Sequence, residues 1–237
     1  MNFLNKQYTQ EGLKLALPVM LTQVGQVSVN LFDNIIVGKL LGAQALASVS
    51  LGNALFFSIF VLALGFSFAI PPLVSEANSQ KKHDVINSVF RHGFVINLGI
   101  GILLMIILLS ALPLIYHLDQ PKEIIPNTIS FLSIMAFTMI PFMMFQTLRE
   151  VSEGLGFTIG VTKATIIANV INIALNYVFI KGLFGLPAMG VQGSALATLI
   201  ARIFMVVFLY FVLVKEPKTR RYIKEFSLKI SEFSKEM

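Results

Sequence analysis

The chain has 237 residues, of which 56% are hydrophobic and 13% charged, with a net charge of +6 and no cysteine. Soluble domains carry about 25% charged residues, so the composition excludes a soluble globule and indicates an integral membrane protein. Without cysteine, disulfides, thiolate metal centres and thiol nucleophiles are excluded too.

The opening stretch, MNFLNKQYTQEGLK, is polar and mixed in charge. The apolar run after it is too long for a signal-peptide core and lacks a small-residue cleavage site, so it is expected to remain as a helix. Six apolar segments follow one another, at about 13–38, 46–74, 94–116, 128–148, 162–180 and 191–214. At about 1.5 Å per helical residue each is long enough to span a bilayer. The expected fold is therefore all-α, a polytopic bundle of six transmembrane helices over residues 1–214. Residues 215–237 form a basic tail, either an interfacial amphipathic helix or a tether. Prolines interrupt the spans at Pro18, Pro71–Pro72 and Pro141. Each removes a backbone donor, and Pro18 is expected to kink the first helix.

The basic residues are unevenly placed. Of the 18 Lys and Arg, fourteen lie in the N-terminus, the second and fourth connections and the tail. The first, third and fifth connections hold only Lys39, Lys122 and Lys181, and Arg202 lies inside the sixth segment. By the positive-inside bias this predicts six spans with both termini cytoplasmic. It also accounts for the net positive charge without nucleic acid as a partner.

Asp33 is the sole acid in its apolar run. An ionisable group at membrane depth is costly, about 2.5 kcal/mol or more at the centre, and is a functional candidate by default. On the first helix Thr22, Gln26, Asn30 and Asp33 recur at +4, +4 and +3; on the fifth, Thr162, Thr165, Asn169, Asn172 and Asn176 recur at +3 or +4. Such stripes face protein or a wet cavity, because lipid would penalise every position. Counted from the outer ends of their helices, Asp33, Asn172, Asn176 and Thr198 lie roughly 8–14 Å deep, at comparable height. A carboxylate, two amides and a hydroxyl at one level form a candidate proton or cation site, with Na⁺ suited to Asp33, Asn172 and Asn176. Protonation and cation occupancy would compete for the same carboxylate. Gln26, Asn30, Asn169 and Arg202 are expected to line a cavity, Arg202 needing Asp33 or backbone carbonyls as its partner. Glu150 and Glu153 read as interfacial charges beside Arg149. The three His are scattered and no Walker-type loop exists, so neither an enzyme, nor a bound cofactor, nor ATP drive is expected.

Pro18 with NLFDNIIVGKLLGAQALASVSL, and QTLREVSEGLGFTIG with ANVINIALNYVFIKGLFGLPAMGVQGSALATLIAR, resemble the multidrug and toxic compound extrusion family over residues 14–214. The resemblance implies a secondary transporter of the bacterial inner membrane that expels cationic or amphipathic compounds in exchange for H⁺ or Na⁺. It implies two six-helix lobes around a central cavity, Asp33 as the coupling carboxylate, Pro18 as the kink, and Asn172, Asn176 and Thr198 as its polar partners. Two departures accompany it. Some members carry an acid where this chain has Asn176, and the chain holds six helices where the family has twelve. A second six-helix half, either a missing C-terminal lobe or another copy, is the expected partner, together with membrane lipid and a small-molecule substrate. The alternatives are a flippase of lipid-linked precursors, which would want more basic residues than Arg202 in its cavity, and a non-transporting truncated module.

Overall fold

The computed structural model describes residues 6–224, and these are helical from end to end with short breaks. Helix α1 (Lys6–Leu41) is followed after one residue by α2 (Ala43–Ser67). The hinge is Gly42, whose φ of 85° suits a residue without a Cβ. Helix α3 (Ile70–Ser79) continues the second apolar segment past a break at Phe68–Ala69. Pro71 and Pro72 explain that break: they lack the donors a continuous helix needs there but fit the first turn of a new one. Helix α4 (His83–Ala111) runs on into a 3₁₀ turn at Leu112–His117 that contains Pro113.

The expected fourth span is two helices, α5 (Ile125–Phe137) and α6 (Met139–Gly154), bent by 41° at Thr138. Pro141 stands just after the bend and cannot donate to the Phe137 carbonyl. Helices α7 (Ile159–Lys181) and α8 (Gly190–Lys215) match the last two segments, and α9 (Pro217–Lys224) begins the tail. The rest of the expected tail, 225–237, lies outside the described residues.

Among the described residues, four stretches are long and apolar enough to cross a membrane, namely α2–α3, α4 with its 3₁₀ turn, α7 and α8; the bent pair α5–α6 makes five. The expected count of six is thus not reached by this measure. Helix α1 is not among the stretches counted.

Two apolar cores are stacked along the bundle. One gathers Ile36, Val49, Ile115, Phe131, Ile180 and Val191; the other gathers Val74, Ile86, Leu148, Val161, Leu213 and Ile223. Close helix approach is set by small residues. A Cβ on Gly193 would sit 2.8 Å from the Phe179 backbone, and one on Gly25 would sit 2.9 Å from Thr165. These two glycines let α7 pack tightly against both α8 and α1.

Candidate functional site: a buried carboxylate between three helices

Asp33 lies on the face of α1 that meets α7 and α8, and only 2% of it is exposed. Asn176 of α7 donates from Nδ2 to Asp33 Oδ1 at 2.7 Å. Thr198 of α8 donates from Oγ1 to Asp33 Oδ2 at 3.0 Å. Asn172, one turn from Asn176, donates from Nδ2 to Thr198 Oγ1 at 3.1 Å. The four residues singled out by depth therefore form one hydrogen-bonded cluster, every member buried. One acceptor in it is unspent: Asn176 Oδ1 is buried without a partner, as is Ser194 Oγ one turn from Thr198.

Beside the cluster is a cavity of about 40 Å³, walled by Gln26, Val29, Asn169, Asn172, Thr198 and Arg202 among others. That volume admits water, for which about 10–15 Å³ suffices. Gln26, Asn169 and Arg202 stand on its wall. Asn30 does not: it is half-buried, and Val29 takes the wall position instead. The cause is helical drift. At about 100° per residue, Asn30 is rotated roughly 80° from Thr22, whereas Asp33 returns to within roughly 20°.

Arg202 does not pair with Asp33. Its guanidinium donates to Thr138 Oγ1 at 2.5 Å and lies 5.0 Å from the Phe56 ring centroid and 4.9 Å from that of Phe142. Two aromatic faces and the hydroxyl at the α5–α6 bend therefore hold this charge. Asp33 is left with neutral donors only. Helix α1 continues through Pro18 as a single helix, and the Pro18 carbonyl accepts from both Thr22 and Thr162 at 2.9 Å. Asn169 Nδ2 donates to the Gly25 carbonyl at 2.8 Å. These contacts pin α7 to α1 below the carboxylate.

Two clusters escaped the sequence reading. Arg149 is buried, donating from Nε to Glu153 at 2.7 Å and from one terminal nitrogen to Gln26 and Gln146, each at 3.3 Å. Glu150 is buried too, and neither of its carboxyl oxygens has a hydrogen-bond partner among the described residues. The expectation that Glu150 and Glu153 are interfacial charges is overturned for Glu150, because α6 turns that side into the bundle. Separately, Ser67, Asn97 and Thr147 join α2, α4 and α6 through bonds of 3.1 and 2.8 Å.

The described residues thus form an all-helical bundle with apolar spans and a buried, hydrogen-bonded carboxylate between three helices. The MatE family model matches residues 18–178, more than half of the chain. The chain belongs to the MatE family. It is 33% identical over 195 residues to the multidrug resistance protein NorM of Photobacterium profundum, covering 82% of this chain and 42% of that protein. A probable NorM of Agrobacterium fabrum is 30% identical over 210 residues, covering 89% and 45%. Among solved structures, the eukaryotic MATE transporter AtDTX14 superposes with a TM-score of 0.85 at 17% identity, covering 96% of this chain and 50% of that one. A MATE protein crystallised in a bent conformation gives 0.81 at 22% identity, covering 95% and 50%. The chain spans about half the length of the curated relatives it matches.

Proposed function

We propose that this chain is the N-terminal lobe of a secondary transporter that exports cationic or amphipathic compounds in exchange for H⁺ or Na⁺. The observation that carries the reading is Asp33, buried and bonded on each oxygen by a different helix, beside a polar cavity. Relatives named multidrug resistance proteins support the substrate class.

The cluster has the parts of a switch. Thr198 has one hydroxyl hydrogen and two acceptors in reach, Asp33 Oδ2 at 3.0 Å and the Ser194 carbonyl at 3.1 Å. A proton on Oδ2 turns that acceptor into a donor, so Thr198 must accept from Asp33 and turn its own hydrogen to Ser194. The bond between α1 and α8 then reverses direction. Na⁺ acts at the same point by claiming the carboxylate oxygens and the free Oδ1 of Asn176, which removes the acceptors that hold α7 and α8 to α1. Either event changes how the three helices are joined, which is what coupling requires. Both termini lie in the cytoplasm, a reading supported by the uneven placement of basic residues, and the second six-helix half supplies the remainder of the transport path. A flippase of lipid-linked precursors is disfavoured, since among the described residues Arg202 is the one cationic side chain on the cavity wall and its charge is held by Thr138, Phe56 and Phe142.

The test is efflux of a cationic dye from cells expressing the chain alone, or with the C-terminal half of a full-length relative. Rescue by the second half, lost again on Asp33→Asn, is the expected outcome. Efflux that survives Asp33→Asn would remove the carboxylate from the mechanism.

A further inference from the structure

A second concavity lies away from the Asp33 cluster, and its chemistry is the opposite. It is a groove of about 370 Å³ with aromatic and aliphatic walls: Phe90 and Phe94 from α4, Leu148 from α6, Tyr210 and Phe211 from α8, and Ile223 from α9. The volume falls within the roughly 300–1,000 Å³ of small-molecule sites. Its walls offer no charged group to orient a polar ligand. It sits where α8 and α6 end and α4 begins, Phe211 being four residues before Lys215, Leu148 six before Gly154 and Phe90 seven after His83.

Helix α9 closes that end and is two-faced. Thr219, Tyr222 and Ile223 are buried, with Tyr222 hydrogen-bonded to His83 Nδ1 at 2.7 Å. Lys218, Arg220 and Arg221 are exposed on its other side. The same end of the bundle carries Lys81, Lys82, Arg91, Lys163 and Lys215. An apolar slot about two turns deep, capped by a short helix with cations facing outward, has the layout of an acyl chain with an anionic head above it.

We propose that the groove between α4, α6, α8 and α9 binds one acyl chain of an anionic phospholipid, whose headgroup is held by Lys218, Arg220 and Arg221. Charge complementarity selects this occupant over a zwitterionic lipid. The site stands independently of the transport reading, because it shares no residue with the Asp33 cluster.

The chain contains no tryptophan, so one reporter suffices. Phe211→Trp, with Tyr210→Trp as a second reporter, is placed in vesicles of phosphatidylcholine. Dibrominated phosphatidylglycerol or dibrominated phosphatidylcholine is then titrated in. Val170→Trp, on the exposed side of α7, reports ordinary surrounding lipid. Quenching at the groove is expected to favour phosphatidylglycerol several-fold while the α7 reporter shows no preference. The preference is expected to fall to the α7 ratio at 1 M salt, and also in the variant carrying Lys218→Gln, Arg220→Gln and Arg221→Gln. Equal quenching by both lipids at the groove overturns the proposal, as does a preference that survives salt and charge removal. Quenching below the α7 reporter for both lipids means protein fills the groove, which also overturns it.

Discussion

Asp33 and Glu150 are the two buried carboxylates among the described residues, each about 2% exposed, and they are satisfied in opposite ways. Each Asp33 oxygen accepts a hydrogen bond from a different helix, whereas neither Glu150 oxygen accepts one. Among the described residues the charged groups near Glu150 are Arg149 and Glu153, and Arg149 already spends donors on Glu153, Gln26 and Gln146. Burial alone therefore does not mark a site. What distinguishes Asp33 is that donors from two neighbouring helices converge on it, one on each oxygen.

The largest expected effect breaks the two apart by deletion. Asp33→Leu removes the acceptor that ties α7 and α8 to α1 and leaves Asn176 and Thr198 with acceptors on their own helices only, Asn172 and the Ser194 carbonyl. Losing the two inter-helix bonds should cost about 1–3 kcal/mol in all and lower the melting temperature in detergent. Glu150→Met strands none and should be neutral or stabilising. Equal losses in the two variants would erase the distinction. Next comes Gly193→Ala, whose Cβ would meet the Phe179 backbone at 2.8 Å. Forcing α8 off α7 there should cost about 1–3 kcal/mol by thermal unfolding and displace Thr198 from Asp33. Thr198→Val keeps the shape but removes the hydroxyl, a loss of about 1 kcal/mol that Thr198→Ser should largely restore. Smallest is Arg202→Lys. It keeps a charge near Phe56 and Phe142 but loses the planar stack, at about 0.5–1 kcal/mol, and should leave any response of Asp33 to ions unchanged.

The fold class and the Asp33 cluster were legible because their signals are periodic. Apolar runs near twenty residues mark helices, and residues at +3 and +4 share a face, so Asn172 and Asn176 could be set against Asp33 before any coordinates. Asn30 shows the limit, since successive +4 steps drift around the helix and carry it off the cavity wall. Pro71–Pro72 and Pro141 announced disturbances without saying that they split one span at Phe68–Ala69 and bend another at Thr138. Arg202 was legible as a charge needing a partner, but its partners, Phe56, Thr138 and Phe142, come from segments with no shared spacing. Glu150 was misread because QTLREVSEG looks like a helix end meeting water. Only the packing of α6 among α3, α4 and α8 buries that turn. The i, i+4 spacing of Arg149 and Glu153 was the available sign that this turn carries its own ion pair.

The central claim is that ions act on this lobe through Asp33. Hydrogen–deuterium exchange of the full chain in lipid nanodiscs, compared across Na⁺ concentration and across pH, measures that most directly. In the native chain, protection over 165–180 and 191–202 should change with one or both ions, while Asp33→Asn should abolish the change and Glu150→Gln should keep it. A response that persists in Asp33→Asn, or one lost only in Glu150→Gln, would contradict the account.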